Sequence, residues 1–146
     1  MADTLFINEE YFKKNISHKQ SVDNAQIISS IRVVQRTNLV DIITESVYDD
    51  LQTKITDGTP LTEGEEKLME SIQLYLAVKT AEELIYASPE EAKEGSHLSY
   101  KQKANLMEAR IVRDINRDAT ILALAQSDAE DFDDTEMDTA GGFYFV

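Results

Sequence analysis

The sequence contains no cysteine. Disulfides, thiolate nucleophiles and cysteine-ligated metal sites are therefore excluded, and with them most redox, zinc-ribbon and cysteine-hydrolase chemistry. Glycine and proline are scarce, five and two in 146 residues, which leaves few chain breakers and favours long helices over a meander of short strands. Positive charge is in short supply: 14 Lys and Arg stand against 28 Asp and Glu, a formal net charge of −14. A field of that sign argues against nucleic acid as a main ligand, because phosphate binding needs a basic surface. No apolar run approaches the roughly 18 residues a bilayer requires, so no membrane span is expected. Residues 1–12 carry Asp3, Glu9 and Glu10 where a secretory signal would place positive charge and then a long apolar stretch, so export by that route is not expected.

What is present points to an all-α fold. Apolar residues make up 42% of the chain, enough for one small core. The periodicity predicts a helical bundle of about four main helices, over residues 22–39, 44–55, 63–86 and 100–126. Ile27, Ile31 and Val34 mark one face of the first, with Ile28 and Gln35 beside it, and a break is expected near Asp41 to Thr44. Val47, Leu51 and Ile55 mark the second, which ends at the Asp57-Gly58-Thr59-Pro60 turn. Thr62-Glu63-Gly64-Glu65 has the form of a capping box. The helix it opens is apolar on several sides from Leu68 to Ile85, which predicts a central position, with Ile72 in the core. Ser88-Pro89 repeats the start logic, and Ser99 with Gln102 is expected to cap the last helix, where Ile111 is a second core residue. The domain reading is an N-terminal arm over 1–21, with a short helix capped by Asn8; a helical bundle domain over 22–126; and an extended acidic tail over 127–146.

The motifs that carry chemistry are few. Glu94-Gly95-Ser96-His97 has the Glu-x-x-His spacing of carboxylate-bridged metal sites, but no second copy exists, and the other histidine, His18, lies in a polar stretch. Such centres need several convergent ligands, so no metal or cofactor is expected. With no nucleotide-binding glycine loop and no nucleophile arrangement, the chain is read as non-catalytic. Arg110, Arg113 and Arg117 fall at i, i+3 and i+7 along one helix face. They are candidate contacts to an acidic partner, against the simpler reading of a solvated face balanced by Glu108, Asp114 and Asp118. After Gln126 come seven acidic residues with no Lys or Arg, and then Gly141-Gly142-Phe143-Tyr144-Phe145-Val146. A self-repelling tether that ends in an apolar tip suits pocket insertion or strand addition on a partner, so Phe143, Tyr144, Phe145 and Val146 are candidate partner-binding residues.

One set of motifs resembles a known family. Leu5-Phe6-Ile7-Asn8-Glu9-Glu10-Tyr11-Phe12-Lys13-Lys14 is followed by Val22-Asp23 and a helix containing Ile31 and Gln35. Then come Val47-Tyr48-Asp49-Asp50-Leu51, Gly58-Thr59-Pro60-Leu61-Thr62 and the Leu68 to Tyr86 helix. In order and spacing this resembles the head-to-tail connector, or adaptor, proteins of tailed bacteriophages, of the Bacteroidetes and crAss-like type. Where that pattern carries Leu-Gly-Thr ahead of a Leu-Tyr pair, this chain reads Ile43-Thr44-Glu45-Ser46-Val47-Tyr48, and the glycine is missing. The resemblance implies a mostly helical, non-enzymatic virion protein, made in the host cytoplasm. Its place would be the neck, in a homo-oligomeric ring, commonly of 12 copies, between the portal protein and neighbouring neck or tail rings. DNA would pass through the lumen as cargo. The alternative class is a non-viral helical adaptor or regulatory module whose acidic-aromatic tail is a peptide ligand.

Overall fold

The computed structural model describes residues 4–16, 23–86 and 96–130. Among these it is all-helical, with no strand. The chain forms α1 (Glu9–Asn15), α2 (Asn24–Val34), a π-helical turn (Gln35–Leu39), α3 (Val40–Ile43), α4 (Glu45–Asp57), α5 (Glu63–Tyr86), α6 (Ser96–Asn116) and α7 (Ala119–Glu130). None of these helices is long and apolar enough to cross a membrane.

Helix α5 is central, as its apolar pattern predicts. Leu68, Ile72, Leu76 and Ala81 are completely buried, and Met69, Tyr75, Ala77, Val78 and Leu84 nearly so, too many directions for one stripe to cover. Its most extensive partner is α6, which contributes Ala104, Ile111 and Ile115; α2 and α1 cover other sides. Ile72 and Ile111 both lie fully inside, and each such side chain is worth about 1.5–3 kcal/mol of burial. The capping box at the start of α5 closes as its sequence suggests. The Thr62 hydroxyl accepts from the Glu65 amide at 3.2 Å, and Glu65 Oε1 accepts from the Thr62 amide at 2.9 Å. The other oxygen of Glu65 receives Lys54 from α4, which also reaches Asp50 at 3.1 Å. One carboxylate thus fastens both sides of the Gly58 turn, where the backbone is left-handed (φ 73°).

The break expected near Asp41 to Thr44 falls on the last of these residues, but the first helical stretch runs past its expected end at residue 39. Helical backbone continues through Ile43, and the register is corrected inside it. Val34 and Leu39 both face the core although five residues apart; an ordinary α-turn would rotate one of them out, and the π-turn absorbs the extra residue. The break itself is one residue, Thr44, at φ 79° and ψ 159°, a region otherwise confined to glycine. No side chain of α4 caps its own start. Asp128 of α7 does so instead, accepting from the Ser46 amide at 2.9 Å and from the Ser46 hydroxyl.

The end of the chain departs further from expectation. The single helix predicted over 100–126 is two helices. α6 begins at Ser96, so Ser99 is an interior residue rather than a cap; no breaker follows Gly95 to delay the start. α6 ends at Asn116, and Asp118 starts α7 by accepting from the Thr120 and Ile121 amides at 3.0 and 3.1 Å. The turn sits against the first turn of α5: a Cβ on Gly64 would lie 1.9 Å from Asp118 Oδ2. α7 then crosses onto α4 and runs to Glu130, so residues 127–130 are helical rather than part of an extended tail. Asp128, counted in sequence among the solvated acids, is a capping group.

Candidate functional site

The chain concentrates its long-range polar contacts on the segment Thr4–Ile7, which three glutamine side chains hold in place. Gln35, 1% exposed in the π-turn, accepts from the Phe6 amide at 2.8 Å. Its amino group donates to the Thr4 carbonyl at 2.8 Å and to the Tyr48 hydroxyl at 3.1 Å. Gln52 of α4 accepts from the Thr4 amide at 2.9 Å and donates to the Thr4 carbonyl at 2.7 Å. Gln73 of α5 donates to the Phe6 carbonyl at 3.0 Å. Phe6 and Ile7 plug the core above these bonds, the Phe6 ring lying 5.7 Å from that of Tyr48. Asn8 then caps α1 by accepting from the Tyr11 amide at 2.8 Å, and Phe12 and Ile16 are buried below it. Thr4–Ile7 is irregular and bent at Phe6 and Ile7 and cannot satisfy its own backbone, so Gln35 and Gln52 each supply a donor and an acceptor and Gln73 a donor.

Beside this network lies an open groove of about 280 Å³, bounded by Leu5–Asn8, Tyr11 and Gln73. The Tyr11 phenol is raised above its ordinary pKa by partial burial and by Glu70. A second recess, about 430 Å³, opens between the π-turn, α3, α5 and α6, and contains Asn38, Asp41, Tyr75, Lys79, Asn105 and Glu108. Burial, and then Glu108, Glu82, Glu83 and Asp41, push the Tyr75 phenol up. Lys79 is engaged by Glu82 at 3.0 Å and Glu83 at 3.8 Å. The recess offers carboxylates and carboxamides suited to a cationic or amide-bearing group.

The residues singled out in the sequence are placed as follows. Arg110 is half-buried and Arg113 exposed on α6, the latter 3.7 Å from Asp114 Oδ1. Arg117 does not continue the helical stripe: it lies exposed in the turn before α7, its amide still bonded to the Arg113 carbonyl at 3.1 Å. Phe143, Tyr144, Phe145, Val146 and Glu94 lie outside the described residues, and His97 falls in the first turn of α6. Among the described residues no three His, Asp or Glu side chains converge in a metal-ligating arrangement. The glutamine network went unread in the sequence, because neutral polar residues scattered over three helices form no motif; the one signal was Gln35 beside an apolar face. Set against protein-family models, curated proteins and solved structures, the chain has no match.

Proposed function

We propose that the chain is a non-catalytic structural protein of a tailed-phage neck, forming a homo-oligomeric ring between the portal protein and a neighbouring ring. The observation that carries this reading is a convergence in space. The motifs that resemble the connector family are dispersed along the sequence, yet Phe6, Gln35 and Tyr48 meet in one hydrogen-bonded network, with Asn8 capping the helix that follows Phe6 and Leu51 buried in the core. The missing glycine of the pattern supports the same reading, since Thr44 adopts a backbone conformation natural to glycine. In this reading the body is a small helical bundle that carries an N-terminal arm and an extended acidic tail. The copies, commonly 12 in the family, meet through polar faces. Arg110, Arg113 and Arg117 of one copy face an acidic surface of the next, for which the recess at Asp41 and Glu108 is suited. Phe143, Tyr144, Phe145 and Val146 dock on a neighbouring ring or the portal. The net charge of −14 keeps passing DNA from adhering to the lumen.

Cryo-electron microscopy of particles that contain the protein tests this directly. Density for the chain in a closed ring at the portal vertex is the expected result. Its absence from the neck would overturn the proposal and leave a free helical adaptor as the better reading.

A further inference from the structure

Tyr75 lines the recess between the π-turn, α3, α5 and α6 and is itself only 3% exposed. A tyrosine set so deep ordinarily finds a partner for its hydroxyl. This one makes no hydrogen bond with the described residues, and its oxygen is not sealed from solvent. Asp41 and Glu108 stand exposed along the same recess, and neither has a cation or a hydrogen-bond donor on its carboxylate among the described residues. Lys79, which also lines it, is held by Glu82 at 3.0 Å and Glu83 at 3.8 Å. Ile42 and Val112 add apolar wall. Two carboxylates are too few for a metal ion, and among the described residues no third ligand converges on them. An unpartnered hydroxyl beside two unpaired carboxylates and aliphatic wall instead matches a guanidinium: a flat cation with several donors, carried on an apolar stem.

We propose that this recess is a guanidinium-binding pocket and that its occupant is Arg113 of a second copy of the chain. The far flank of α6 supplies the matching surface. Arg113 is exposed, and its nearest carboxylate oxygen, Asp114 Oδ1, lies 3.7 Å away, beyond good hydrogen-bonding distance. The other Asp114 oxygen already accepts from the Ser71 hydroxyl at 2.6 Å. Arg110, one turn earlier, has no ion pair among the described residues. Leu106, 66% exposed, stands two turns before Arg113 on the same side. In a chain of net charge −14, one flank of α6 thus presents weakly held arginines beside an exposed leucine, and another presents unpaired carboxylates over an unpartnered hydroxyl. At 3.6 residues per turn, Arg110 and Arg113 stand roughly 140–160° around the helix from Glu108. The two patches therefore cannot share one flat interface, and a contact between them runs head-to-tail, each copy giving an arginine to the next and receiving one from the last. Such a contact repeats until it closes into a ring or continues as a filament. Taking a second copy as the source rests on the ring reading; the chemistry of the pocket does not.

The full-length isolated protein tests pocket and source separately. For the pocket, N-acetyl-arginine amide is titrated while backbone amide resonances are followed by NMR. Shifts are expected at Asn38, Asp41, Asn105 and Glu108, and the lysine analogue should bind about fivefold more weakly, since an ammonium lacks the planar fork. Tyr75→Phe should weaken the arginine probe about fivefold yet leave the melting midpoint unchanged or higher, because the hydroxyl it removes has no partner among the described residues. No shifts at these amides, equal affinity for the two probes, or an unchanged affinity in Tyr75→Phe would overturn the pocket. For the source, sedimentation at millimolar protein should show wild-type species larger than a dimer. Asn105→Trp, which fills the recess from an exposed position, and Arg110→Ala with Arg113→Ala should each stay monomeric. An equimolar mixture of these two proteins should stop at a dimer, with one intact arginine face in one intact recess. A monomeric wild type, either variant associating as wild type does, or a mixture without dimers would overturn the second-copy source. Both measurements use the free chain, so their failure is separable from absence of the protein from particle necks.

Discussion

The two ends of the described chain are fastened to the same helix by opposite chemistry. Thr4–Ile7 is held on α4 and its neighbours by neutral carboxamides, whereas α7 is started by one carboxylate, Asp118, and holds the start of α4 with another, Asp128. Neutral amides are indifferent to protons and nearly so to salt. Carboxylates give stronger single bonds but make them conditional on ionisation. The N-terminal attachment should therefore persist over a range of pH in which the C-terminal one weakens.

The largest expected effect is at the neutral end. Gln35→Ala leaves the Phe6 amide, the Thr4 carbonyl and the Tyr48 hydroxyl short of a partner in a buried place, a loss of about 3 kcal/mol, which thermal or urea unfolding will read at any pH from 5 to 8 (roughly, the window where neither Gln nor carboxylates titrate). Gly64→Ala comes next. It gains helix propensity but drives a methyl group into the Asp118 carboxylate that starts α7, for a net loss of about 1–2 kcal/mol by the same measurement.

These two results bear on how much of the fold is legible in sequence. α5 was readable from end to end because its capping box and its dense apolar pattern agree. The division between α6 and α7 was not: Ile111, Ile115 and Leu122 keep a helical rhythm across it, and neither glycine nor proline marks it. Only Asp118, an acid followed by a helix-forming run, carried the information. The break expected near Asp41 to Thr44 could not be narrowed to Thr44 for a similar reason, since a β-branched residue gives no sign that it will take a conformation natural to glycine. Of the candidate contact residues, Arg110 and Arg113 could be placed by counting along the helix, but not Arg117, which lies past its end; nor could the arm-holding glutamines, because their role depends on several elements meeting.

Asp128 offers the sharpest contrast with Gln35. Burial opposes its ionisation, but the hydrogen bonds from the Ser46 hydroxyl and amide outweigh it and hold the carboxyl below its ordinary range. A carboxyl whose folded pKa is depressed stabilises the fold above its unfolded value, and that contribution is lost as pH falls through the folded one. Wild-type stability should therefore fall at acid pH, below about 4. Asp128→Ala should cost about 1 kcal/mol at neutral pH and flatten part of that acid loss, while Gln35→Ala should leave its slope unchanged. Glu65, also held low by Lys54 and Thr62 against burial, adds to the same acid loss. The smallest effect is a gain: Thr44→Gly removes strain at the start of α4 and should raise stability by up to about 1 kcal/mol after the entropy cost of glycine. An unchanged or lower melting midpoint would show that packing of the Thr44 side chain outweighs its backbone cost.

Since Thr4 and Asp128 both end on α4, at Thr56 and Ser46 respectively, the described body begins and finishes on one element. The order of its helices is then separable from their arrangement. A circular permutant with the original ends joined by a flexible linker and new ends opened at the exposed Gly58–Pro60 turn would keep every packed pair of helices in place. The new ends would open beside Thr56, where Thr4 rests, and about 15 Å from Ser46, where Asp128 does, so the permutant would gather at one pole of α4 what now lies at two.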